Sequence, residues 1–125
     1  MFKTNTCREG SVYKVQINRR EIGEFCEQFG KGAANKHIPE EYMTLPKHLA
    51  RAMLDGYMAG DGCKGPHGIK CNTISINLAL DLVRLIGYAY ERPAHICPVK
   101  VKEYKEIEGR IVHQNPYYEV YFHPE

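Results

Sequence analysis

A helix that ends on an acid constrains this chain more than any other feature. Leu45, Leu49, Ala52, Met53, Gly56, Tyr57 and Gly60 recur at helical spacing, and the run Leu54-Asp55-Gly56-Tyr57-Met58-Ala59-Gly60-Asp61-Gly62 closes the pattern. Such periodicity predicts an amphipathic helix with one face able to pack on a partner. Ala52, Gly56 and Gly60 keep that face small, so a second backbone can come close, at a cost in helix propensity. Asp61 falls at the carboxyl end, where the helix dipole is already negative and backbone carbonyls lack partners. A carboxylate is unfavourable there unless a cation joins it. Carboxylate and free carbonyl oxygens together are the donor set that hard divalent metals such as Mg²⁺ prefer.

The rest of the chain bounds the setting. Its 125 residues allow one compact domain with a core, and no break in composition argues for two. Ordinary apolar and charged fractions set aside the disordered and membrane classes. No apolar run approaches spanning length and no signal-peptide core follows Met1, so an intracellular protein is expected. Cys7, Cys26, Cys63, Cys71 and Cys97 are odd in number and form no C-x-x-C pair, as expected of reduced thiols. A net charge of +2 is too small to announce nucleic acid by itself.

Alternation of Tyr13, Val15 and Ile17 predicts a half-buried strand, and Ile22, Phe25, Cys26 and Phe29 a helix capped by Asn18 and stopped by Gly30. A Gly- and Asn-rich loop carrying Lys36 follows. Pro46 suits the first turn of the next helix, which runs to about Gly60. Gly62, Gly65, Pro66 and Gly68 predict a hairpin ending near Ser75, and Ser75 or Asn77 caps a helix built on Leu78, Leu82, Leu85 and Ile86. Val99 and Val101, then Tyr118, Val120 and Phe122, predict a last hairpin with a long wet tip around residues 106–115. The expected class is α+β, in the order β-α-α-β-β-α-β-β.

The run closing on Asp61 resembles the signature of the LAGLIDADG homing endonucleases. Asn35-Lys36-His37-Ile38-Pro39 is similar to the lysine-x-Ile-Pro element that precedes the signature in intein-type members. Thr73-Ile74-Ser75, Leu78-Ala79 and Leu85 to Gly87 are similar to the family's strand and second helix. The likeness covers roughly residues 11–87. Asp55 departs from the usual Ala, Ala59 from a frequent Asp, and Gly60 from Ala; Asp55 is expected to pair with Arg51 or to weaken the helix pairing.

The resemblance implies the LAGLIDADG fold, an α-β-β-α-β-β-α unit beginning at the signature helix. Over a single domain of residues 1–125, it places an N-terminal strand, helix and lysine loop in 1–45 and the signature helix with an αββαββ core in 46–125. It implies a site-specific, Mg²⁺-dependent double-strand DNA endonuclease, with Mn²⁺ able to substitute. One signature needs a second copy, so a homodimer through the Leu49–Gly60 helix is expected; the later half of a two-motif enzyme is the alternative. Asp61 would be catalytic and, with the carbonyl of Gly60, hold the metal; Lys36 would organise water or offset phosphate charge. A β-ribbon fits the major groove, and the two hairpins offer Lys64, His67, Lys70, Asn72, Thr73, Lys100, Lys102, Tyr104 and Arg110 to DNA.

Other chemistries compete. Cys63, His67, Cys71, His95 and Cys97 include enough zinc ligands for a tetrahedral site, though their spacing matches no compact zinc pattern. Cys7 or Cys26 as a nucleophile lacks a paired histidine, and the ending Phe122-His123-Pro124-Glu125 lacks the His-Asn of protein splicing. A fold that binds DNA without cutting it, and an RNA maturase, are the remaining functional alternatives.

Overall fold

The computed structural model describes residues 4–125. Its centre is a four-stranded antiparallel sheet with two helices packed on one face. The first of these, α2 (Lys47–Asp61), follows Pro46 and ends on the predicted acid. The second, α3 (Ile76–Tyr90), lies along the core, with Leu78, Ala79, Leu82, Leu85, Ile86 and Ala89 all buried at helical spacing. Fully burying a leucine contributes roughly 1.5–3 kcal/mol, so this stripe supplies much of the apolar stabilisation. Ser75, rather than Asn77, is the cap: its hydroxyl accepts a hydrogen bond from the Leu78 N–H.

The sheet is built from β3 (Gly62–Gly65), β4 (Gly68–Thr73), β5 (Ala94–Val99) and β8 (Tyr117–Phe122), in the order β3-β4-β8-β5. Strand period two sends Cys71, Val120 and Phe122 towards the helices, where they are buried. Lys70, Asn72, His95, Glu119 and Tyr121 therefore share the opposite face. Among the described residues, no helix is long and apolar enough to cross a membrane.

Several expectations needed correction. The N-terminal strand exists as β2 (Val12–Ile17), but it pairs with an unpredicted β1 (Thr4–Glu9), and every residue of the hairpin is exposed. Tyr13 and Val15 remain 65% and 62% accessible because no helix or second sheet among the described residues covers their stripe. Helix α1 (Arg20–Glu27) starts one residue beyond Arg19, so Asn18 is not its cap.

At the other end, the strand expected at Val99–Val101 lies earlier, as β5, with Ala94 and Ile96 turned inward. It is an edge strand, where Pro98 is tolerated because one side of its backbone needs no partner. The connection from β5 to β8 holds its own small hairpin, β6 (Tyr104–Ile107) and β7 (Arg110–His113). Glu108 and Gly109 turn it with φ of +50° and +77°, the backbone that a two-residue hairpin loop requires.

Asp55 does not form the expected pair with Arg51. Its carboxylate accepts a hydrogen bond from the Tyr90 hydroxyl, while Arg51 donates instead to the Ala89 carbonyl at 2.7 Å. The residue thus ties α2 to α3 within one chain.

Candidate active site

Asp61 is the last residue of α2, and β3 begins at the very next position. The Gly62 N–H bonds back to the Met58 carbonyl and ends the helix. A Cβ on Gly62 would stand 2.5 Å from that same oxygen, so only glycine lets the chain leave the helix here. Asp61 itself is exposed, and no salt bridge or side-chain hydrogen bond from another described residue engages its carboxylate.

Lys36 reaches the same place from a loop. A short 3-10 turn over Ala33–Asn35 leads into it, and the loop is closed at its start by Gly30, whose φ of +92° places a would-be Cβ against the Asn35 carbonyl. Three contacts then hold the segment. The Ser75 hydroxyl donates to the Lys36 carbonyl at 2.6 Å, the His37 N–H to the Phe29 carbonyl at 2.9 Å, and the Ile38 N–H to the Asp81 carboxylate at 2.9 Å. Ser75 therefore both caps α3 and fixes the lysine loop. Replacing it by Ala should lower stability by about 1–2 kcal/mol, the usual loss for a cap, read as a fall in the urea midpoint. Displacement of Lys36 should accompany that loss.

Lys36 and Asp61 line one cavity of about 480 Å³, shared with His37, Tyr57, Leu54 and Leu82. Burial of Leu54 and Leu82 makes its floor apolar. Tyr57 sits one turn before Asp61, and its hydroxyl and the Cys71 thiol are close enough to influence each other's protonation. Burial pushes the Tyr57 hydroxyl well above its ordinary range, and the nearby Cys71 and Asp61 charges add to that. Burial likewise pushes the Cys71 thiol up to about 11; the neighbouring Tyr57 hydroxyl opposes the rise and the Asp61 charge adds to it. The neutral thiol therefore favours the fold below pH 9.0, and that contribution disappears as pH rises through about 11.

The zinc alternative does not survive the register. Cys71 is buried on the helix side, whereas Cys63, His95 and Cys97 occupy exposed positions on the other face of the sheet. Among the described residues no three His, Cys, Asp or Glu side chains come together as a metal-holding group. A thiol reagent at pH 8 should titrate Cys7, Cys26, Cys63 and Cys97 in the native protein and reach Cys71 only after denaturant is added. Five rapid thiols would contradict this placement.

The residues expected to face DNA separate into groups. Lys70 and Asn72 lie on the open sheet face. Thr73 does not: it is half-buried, and its hydroxyl accepts from the Ser75 N–H at 3.1 Å. Lys64 pairs with Ile69 on the exposed edge strand, and His67 sits in the adjoining turn. Lys100 and Lys102 fall in the segment after β5, while Tyr104 and Arg110 belong to the β6–β7 hairpin. Sequence reading did not place His95, Tyr117, Glu119 and Tyr121 on the face offered to DNA, although they alternate outward along β5 and β8. The His95 and Tyr121 rings stack with centroids 5.0 Å apart. Their signal was the same two-residue period that marked Tyr118, Val120 and Phe122 as a strand.

The open side of α2 is as informative as its buried side. Met53 and Tyr57 pack into the chain's own core, whereas Leu49, Ala52, Gly56 and Gly60 stay exposed. Cβ atoms built on Gly56 and Gly60 meet nothing within 4 Å. Nothing among the described residues therefore requires glycine at either position, although each weakens the helix. No protein-family model and no curated protein matches this chain.

Proposed function

We propose that this chain is a Mg²⁺-dependent, site-specific double-strand DNA endonuclease of the LAGLIDADG type, acting as a homodimer through the open face of α2. One observation carries the reading. Lys36 and Asp61, remote in sequence, line a single cavity at the end of a helix whose small-residue face is uncovered. From α2 onward, the succession α2-β3-β4-α3-β5-β8 also follows the αββαββ order that the resemblance implies, with β6–β7 as an insertion.

The donor set fits a hard divalent ion. Mg²⁺ takes one or two carboxylates and fills its remaining positions with water and substrate phosphate. Asp61 supplies one such carboxylate at a helix end, and the Gly60 carbonyl lies where α2 has no further N–H to offer it. A second copy paired along α2 would add its own Asp61. When bound there, the ion would supply Lewis-acid charge to phosphoryl oxygens and make bound water a stronger acid. Two adjacent carboxylates repel without a cation, so ion binding and helix pairing should strengthen each other.

Lys36 contributes a flexible positive charge beside this centre, suited to orienting water or offsetting charge on the phosphate. The sheet face bearing Lys70 and Asn72 offers phosphate and base contacts, and Leu54 and Leu82 give the cavity an apolar floor. Replacing Lys36 by Met should reduce cleavage about 10²-fold with little change in DNA affinity, measured by single-turnover cutting and by gel shift.

The test of the activity is linearisation of a plasmid library carrying randomised inserts. Cutting should require Mg²⁺ or Mn²⁺ and should generate double-strand ends. Retention of DNA without cutting in either metal would instead favour a binding module.

A further inference from the structure

The four central strands contain a single carboxylate, Glu119, and it lies on the face opposite the helices. It occupies the middle of the rung Asn72–Glu119–Cys97. Its side chain is 28% exposed, and the Lys70 ammonium stands 3.8 Å from it. Lys70, Glu119 and Tyr121 share a shallow surface pocket with His67 and the β3–β4 turn. An acid at the centre of a surface meant for a polyanion is unfavourable unless it meets a donor that outweighs phosphate repulsion.

From this placement, and resting on the DNA-cleaving reading above, we propose that Glu119 selects cytosine at one position of each half-site. The argument is one of donors and acceptors. An ionised carboxylate only accepts. In the major groove, guanine presents two acceptors and thymine an acceptor beside a methyl group. Adenine pairs its amino donor with an adjacent N7 acceptor, while cytosine presents its N4 amino donor alone. Cytosine is therefore the base that a carboxylate can accept from without facing an acceptor. Lys70 offsets part of the negative charge and is placed to reach a phosphate or a neighbouring guanine. Asn72, on the same rung, carries both donor and acceptor and reads a different base.

The experiment is selection from a randomised duplex pool in Mg²⁺, using the Asp61→Asn background so that bound DNA is recovered whole. The parent should enrich a site with cytosine at one position per half. Glu119→Gln should shift that position towards adenine, which a side-chain amide pairs bidentately, by about tenfold in relative preference. Glu119→Ala should leave the position unselective, and both variants should keep the remaining positions. The same base at every position in all three proteins would overturn the assignment while leaving the endonuclease reading intact. A uniform loss of affinity without a change in preference would do the same. A parent that enriches no sequence would overturn the DNA reading itself, and this assignment with it.

Discussion

Asp61→Asn should abolish double-strand cleavage, lowering the single-turnover rate by about 10³-fold or more, while DNA affinity stays within a few-fold of wild type. The substitution keeps the size and hydrogen-bonding reach of the side chain and removes only its charge. If Asp61 is the anionic ligand of the proposed metal site, removing its charge should cost ~4 kcal/mol of transition-state stabilisation. The fold should tolerate the change, because the carboxylate is exposed and is engaged by no salt bridge from the described residues. An uncharged residue at a helix carboxyl end is, if anything, more compatible with the dipole. Equal thermal midpoints with lost cutting would place Asp61 in the chemistry. A variant that cuts normally would remove it.

The second large effect concerns assembly. Gly56→Leu should convert a dimer into a monomer and reduce cleavage about 10²-fold or more at fixed protein concentration. Within one chain a Cβ added at Gly56 meets no described atom within 4 Å, and leucine is a far better helix former than glycine. The isolated fold should therefore gain up to about 1 kcal/mol, while two helices can no longer approach closely. This opposition of signs separates an interface role from a folding role. Sedimentation of wild type and variant, with far-UV circular dichroism as the fold check, gives the answer. A Gly56→Leu protein that still sediments as a dimer and cuts would show that α2 pairs with nothing across this face.

How much of this was legible in the sequence depended on whether the determinant was local. Pro46 and the Asp61-Gly62 junction marked both ends of α2, because a helix start and a forced glycine exit are written in neighbouring residues. The stripe from Leu78 to Ile86 marked α3 by its period. Strand β5 was displaced because Pro98 argues against a strand unless its edge position is known, and edges are decided by pairing with β8. The burial forecast for Tyr13, Val15 and Ile17 failed similarly: alternation gives a strand, but whether anything covers it is a tertiary fact. Within the candidate site, Asp61 and Lys36 were recognisable by motif. Their common cavity, and the tether from Ser75 to Lys36, required the fold. Thr73 was assigned to DNA on residue type alone, whereas its hydroxyl serves the turn into α3.

Titration of Mn²⁺ into the duplex-bound protein, followed by electron paramagnetic resonance, tests the central claim most directly. Wild type should bind the ion with an affinity that rises as protein concentration drives two chains together. Asp61→Asn should bind none at the same concentrations, and a mixed dimer carrying one Asp61 should bind more weakly than wild type. Ion binding that persists unchanged in Asp61→Asn, or that is as tight in a monomer as in a dimer, would contradict the account.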